Sequence, residues 1–166
     1  MDILISIPIL GALVILQSAI MSDINLLNGT TDLVMLAIIA WAMQKKVQSA
    51  WQWGIIGGLF VTLVSGLPFF VPLISYLATV GIVLLLRKRV WNYPILAMFI
   101  GTFIGTLIMH LLSILALRIT GVSIPLIESF NIITLPTLIL NMLLAVPIYA
   151  LLRELANIRY PEKLEA

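Results

Sequence analysis

With 166 residues, of which 62% are hydrophobic and 10% charged, the chain cannot cover itself as a soluble globule. Small domains keep much of their surface in water, and an average one carries about 25% charged residues. The net charge is only +2, so the placement of the cations matters more than their sum, and the lack of cysteine removes disulfide frameworks and thiolate metal sites. The composition therefore points to an all-α integral membrane protein in one domain, with nucleic acid excluded as a partner.

A helix needs about 20 apolar residues to cross a hydrocarbon core of roughly 30 Å. Residues 3–21 supply the first span; the run has no basic leading segment and no small-x-small cleavage site, so it reads as retained. The polar stretch "SDINLLNGTTD" follows. Leu33 to Met43 is too short to span alone, and a span over 28–46 works only if it includes Asp32 as an N-cap, part of the preceding "NLLNGTT", or the snorkelling stems of Lys45 and Lys46. The third span covers 51–66, and the uncharged "SGLPFFVP" then predicts a tight hairpin. The fourth span runs over 70–86 to "RKR", and Pro94 suits the first turn of a fifth over 94–117. "ITGVSIPLIES", with Ile124, Leu126, Ile127 and Phe130 interrupted by Pro125, predicts an interfacial loop before a sixth span over 131–152. Beyond it, "RELANIRYPEKLEA" extends the helix toward Pro161, with Arg153 and Glu154 at headgroup level.

Cation placement predicts orientation. With six spans and both termini in the cytoplasm, Lys45, Lys46, Arg87, Lys88, Arg89, Arg153, Arg159 and Lys163 lie inside and Arg118 alone lies outside. In this reading the short basic clusters do no more than fix topology. Trp41, Trp51, Trp53, Trp91, Tyr93, Tyr149 and Tyr160 flank the inner loops, where amphipathic rings form a belt.

Helices in lipid associate through small residues and hydrogen bonds. Helical spacing puts Gly54, Gly58, Thr62 and Ser65 on one face of the third span. Thr102, Thr106, His110 and Ser113 share a face of the fifth, beside the GxxxG pair Gly101 and Gly105. Thr134, Thr137 and Asn141 form a stripe on the sixth, and Ser75 and Thr79 sit one turn apart on the fourth. These faces are either packing surfaces of the bundle or surfaces for a ligand or a partner's helix. Thr62 is expected to bond back to a carbonyl one turn earlier.

His110 is the only titratable side chain expected inside the bilayer, partnered by Asn141 or a neighbouring threonine. Asp2, Asp23, Asp32, Glu128, Glu154, Glu162 and Glu165 all fall in loops or tails on this reading. With no buried acid, phosphate loop, HExxH motif or metal cluster, neither an enzyme nor a proton-driven transporter is expected, and no cofactor or metal.

"TDLVMLAIIAWAM", "GIIGGLFVTLVSGLPFFVPLISYL" and the basic loop after the fourth span resemble the rod shape-determining MreD family, most strongly over 32–77. That family's glycine segment followed by an aspartate is matched by Gly54, Gly58 and Leu59, with Thr62 where the aspartate is common and "PFF" in place of its turn. An aspartate there would cost roughly 2.5–3.5 kcal/mol on insertion scales unless paired. The resemblance implies a six-span fold similar to the substrate-binding subunits of energy-coupling-factor transporters. It also implies a non-enzymatic scaffold in the bacterial cytoplasmic membrane that binds MreC and, through it, works with MreB, RodA and its transpeptidase to maintain rod shape. The alternative expectation is a vitamin- or metal-binding subunit of such a transporter, which would need a roomy polar cavity near His110, Ser75 and Asn141. A lipid-handling enzyme is a third reading, resting on location alone.

Overall fold

A computed structural model of the chain describes residues 2–23, 29–89, 93–122 and 125–161. Trp91, Ile124, Glu162, Lys163 and Glu165 lie outside the described residues, as do the side chains of Asp2 and Asp23. Every regular element among the described residues is helical: α1 Asp2–Asp23, α2 Leu33–Ala42, α3 Ala50–Val64, α4 Phe70–Arg89, α5 Pro94–Ile119 and α6 Leu126–Arg159. The number of helices matches the six expected spans. Three of them, α4, α5 and α6, are long and apolar enough to cross a membrane.

The boundaries follow from local chemistry. Ser65 takes an extended conformation and ends α3, and the hairpin turns within five residues before the Val71 N–H bonds the Pro68 carbonyl at 2.9 Å. Pro94 opens α5 at a position where its missing N–H is not needed. The last helix begins at Leu126, earlier than the sixth span was expected to, and passes through a π-helical turn over Phe130–Thr134. There the Leu135 N–H reaches five residues back to the Phe130 carbonyl. Pro136 explains the slip, since it has no N–H to continue the α-type ladder and its ring crowds the preceding turn. The expected interfacial loop is thus partly helix, with Leu126, Ile127 and Phe130 exposed along it.

The second expected span differs most. Its helix has ten residues, about 15 Å of length, and all ten are buried. It is the axis of the bundle, packed by α1, α3, α4, α5 and α6. Gly57 lets α3 approach: a Cβ there would lie 2.6 Å from Ile38 and 3.0 Å from Val34. Around this axis α3 packs on α4, α4 on α5 and α5 on α6, while α1 leans on α2 and α3 without extensive packing on α6.

Both ends of α2 are closed by protein. At the first end Asp32 is the N-cap, as expected, its carboxylate accepting from the Met35 N–H at 2.9 Å. At the other end Arg87 Nη1 lies 3.0, 2.8 and 3.1 Å from the carbonyls of Ala42, Gln44 and Val47. The expectation that this cation only fixes topology is corrected: it ties the α2–α3 connection to α4. Two of the belt tryptophans are corrected as well. Trp41 and Trp53 are buried and stacked, with ring centroids 4.4 Å apart, and Trp41 Nε1 donates to Ser49 Oγ at 3.1 Å. The loop folds back over them because Arg87 gathers its carbonyls. Trp51 and Tyr93 remain exposed.

Gly58 is the tightest point of the α3–α4 hairpin, since an added Cβ would sit 2.9 Å from Leu73 Cα, a backbone atom. Gly58→Leu is therefore expected to destabilise the protein by at least about 1–3 kcal/mol, the usual range for overpacking, and to lower the yield of monodisperse protein on size-exclusion chromatography. Gly66→Ala, eight residues on and with nothing within 4 Å, is expected to elute as the parent does. Equal behaviour of the two variants would contradict this packing.

Candidate functional site

At the N-terminal end of α2 the bundle opens into a cavity of about 310 Å³. Its walls come from the end of α1 (Gln17, Ser18), the 30–32 segment, α3 and its turn (Val61, Val64, Ser65, Leu67), α5 from Thr106 to Leu117, and α6 from Ser129 to Asn141. Most of the exposed wall surface is apolar, with Met35, Met109 and Ile114 contributing, although more than half of the lining residues are of polar type, several of them over the start of α2.

The polar side is built by the non-helical segment 29–32, which lies against α6. Gly29 lies against α6 so closely that a Cβ would be 2.6 Å from Pro136 Cβ and 2.8 Å from Thr137 N. This approach lets the Thr30 N–H donate to Thr137 Oγ1 at 3.1 Å and the Asp32 N–H donate to Asn141 Oδ1 at 2.9 Å. Asn141 Nδ2 in turn donates to Thr106 Oγ1 at 3.0 Å, joining α6 to α5. The Val34 N–H points to Gln17 Oε1 of α1 at 3.4 Å. Non-helical backbone among apolar helices has to find partners, and the bonds from the Thr30, Asp32 and Val34 amides supply them.

Asp32 corrects the expectation that no acid is interior. Asp32 is one of the cavity-lining residues, and its carboxylate accepts the Tyr76 hydroxyl of α4 at 2.7 and 2.8 Å, besides the Met35 N–H. The residue reads as a loop aspartate because its partners Tyr76 and Asn141 are 44 and 109 residues away in sequence. Gly29, Gln17, Tyr76 and Arg87 were likewise not singled out as site residues. The one sequence signal that bears on them is the glycine in the polar "NGTTD" before so short an apolar run.

His110 also lines the cavity, and its Nδ1 lies 3.0 Å from Thr134 Oγ1. The partner is thus a threonine rather than Asn141, which is held by Asp32 and Thr106. Ser113 Oγ donates to the Met109 carbonyl, so it is not directed at the imidazole. Thr106, Thr134, Thr137 and Asn141 are brought together here.

The remaining candidates lie elsewhere. Ser75 and Thr79 are buried and donate to the Val71 and Ser75 carbonyls; neither reaches the cavity. Thr102 is fully buried and its hydroxyl has no partner. Thr62 bonds the Gly58 carbonyl at 2.8 Å, as its spacing predicts, and also approaches the Phe69 carbonyl across the hairpin at 3.1 Å. Ser65 lines the cavity with an unpartnered Oγ. Gly54 faces Val80 and Leu77, Gly101 faces Val83 and Ile39, and Gly105 faces Thr79 and Met35. These glycines admit neighbours within the chain, so none presents an open groove to a partner's helix.

Comparison of the chain with family models, with curated proteins and with solved structures finds no match.

Proposed function

We propose that the chain is a non-enzymatic membrane scaffold of the bacterial cell-wall elongation machinery, similar to MreD, which binds MreC and helps to maintain rod shape. In this reading it is a multi-pass protein of the cytoplasmic membrane with both termini inside, and MreB, RodA and its transpeptidase are reached through the complex. The observation that carries the reading is the way the segment most like MreD is used. Over 32–77 its glycines and polar groups lock α2, α3 and α4 into one unit: Gly57 on α2, Gly54 and Gly58 on α4, Asp32 on Tyr76. Such a body offers a fixed exterior. Charge supports the orientation, because Lys45, Lys46, Arg87, Lys88, Arg89, Arg153 and Arg159 share one end, where Lys46 Nζ donates to the Tyr160 carbonyl. Arg118 lies at the opposite end, on the last turn of α5.

The seam where α1 and α6 are not extensively packed is the natural seat for a single partner helix. Photo-crosslinkers at Leu16 and Leu143, exposed on α1 and α6, are expected to capture MreC in cells, while one at Leu85 on α4 is not. Capture at none of the three positions, with the complex also absent on affinity purification, would remove the scaffold reading.

A second reading, a small-molecule binding subunit of an energy-coupling-factor type transporter, is favoured by the cavity that holds His110 and Asn141. Native mass spectrometry separates the two: a retained small molecule favours transport, a retained single-span polypeptide favours the scaffold.

A further inference from the structure

Among the described residues Asp32 is the only carboxylate on the cavity wall, and no described lysine or arginine lines that wall with it. The one arginine at this end, Arg118, is exposed on the last turn of α5 and is not among the lining residues. Every hydrogen bond made to the Asp32 carboxylate comes from a donor, the Met35 N–H or the Tyr76 hydroxyl. That set is built for the anion, and the N-terminus of α2 favours the same charge. An anion placed among apolar walls is nevertheless expensive unless a cation joins it.

The remaining polar groups are suited to receive such a cation. Ser65 lies on this wall, but its Oγ is sealed from water and has no partner, so the contacts open to a ligand come from other groups. Thr30, Thr31 and Thr134 add hydroxyl oxygens to the same wall. Opposite them Met35, Met109, Val61 and Ile114 give an apolar surface. The volume, about 310 Å³, falls at the lower edge of the roughly 300–1,000 Å³ usual for ligand sites.

We propose that this cavity binds a small amphipathic organic cation, a protonated amine on an apolar body, with Asp32 as its counter-charge and the Thr30 and Thr31 hydroxyls as acceptors. The inference concerns the interior alone and does not depend on what docks on the outside of the bundle.

Tryptamine tests it, with tryptophol as the neutral partner that carries a hydroxyl in place of the ammonium. By isothermal titration with the full chain in detergent, tryptamine is expected to bind saturably and at least about tenfold more tightly than tryptophol. Asp32→Asn keeps an N-cap and an acceptor for Tyr76, and is expected to weaken tryptamine about ten- to a hundredfold, to the level of tryptophol. Ser113→Leu leaves the Asp32 bonds alone and fills the cavity, so it is expected to weaken both compounds, and it serves where the Asp32 variant does not fold. Equal affinity for the two compounds, uptake no different from empty micelles, or unchanged tryptamine binding by a folded variant would each overturn the proposal.

Discussion

Replacing Arg87 with alanine is expected to lower stability by about 2 kcal/mol or more, one of the two largest effects anticipated for a single side chain here. The carbonyls of Ala42 and Val47 lose this donor together, and that of Gln44 keeps only the Val47 N–H. Each buried acceptor left unsatisfied costs roughly 1–3 kcal/mol, and partial access to water at this end brings the sum toward the lower figure. The loop they belong to also covers the Trp41–Trp53 stack, so loss of the guanidinium should unfold that cover first. Thermal unfolding followed by tryptophan fluorescence checks this directly. Arg87→Lys keeps the charge on a shorter side chain whose ammonium falls short of the Nη1 position, and should recover only part of the loss. Lys88→Ala, one residue on and exposed, should stay within about 0.5 kcal/mol of the parent. A melting curve for Arg87→Ala that overlays the parent would show that the three bonds do not hold the loop.

Gly29→Ala is expected to have an effect of similar size at the opposite end. Its methyl would lie 2.6 Å from Pro136 Cβ, 2.8 Å from Thr137 N and 2.9 Å from Pro136 C, and backbone atoms in the middle of a helix do not swing aside as a flexible side-chain tip does. Overpacking alone costs about 1–3 kcal/mol. Moving the segment away also breaks the bonds from the Thr30 and Asp32 amides to Thr137 and Asn141, at about 1 kcal/mol each. Hydrogen exchange gives the specific readout: the amides of Thr30 and Asp32 should lose protection in the variant. Unchanged protection at both would mean that the 29–32 segment is held by something other than its close approach to α6.

Much of the helical framework was legible in the sequence because it depends on neighbours in the chain. Pro94 starts a helix, the uncharged Ser65–Phe69 stretch turns one, Asp32 caps one, and Thr62 bonds one turn back; each is decided within about eight residues. The centre of the protein was not legible for the opposite reason. Leu33 to Ala42 reads as a deficient span when judged against a bilayer, and nothing local says that five other helices enclose it. Asp32 reads as a solvated loop residue until Tyr76 and Asn141 are brought to it from distant helices. Trp41 and Trp53 have the composition of interface anchors, and only the fold of the intervening loop turns them toward each other. The glycine stripes were correctly read as close-approach faces, but periodicity alone does not reveal whether the approaching backbone belongs to the same chain. For Gly58 it belongs to α4, at Leu73.

The enclosure of α2 has a bearing on how the molecule meets bilayers of different thickness. Lipid tails touch the surrounding helices, so a thicker or thinner hydrocarbon layer must be met by tilt in α4, α5 and α6, at fractions of a kcal/mol per Å of mismatch. A ten-residue helix exposed to the same lipid would be far too short. Sheathed on its sides, with Asp32 at one tip and Arg87 at the other, it is exempt from that match, and its length is free to be set by the chamber above it.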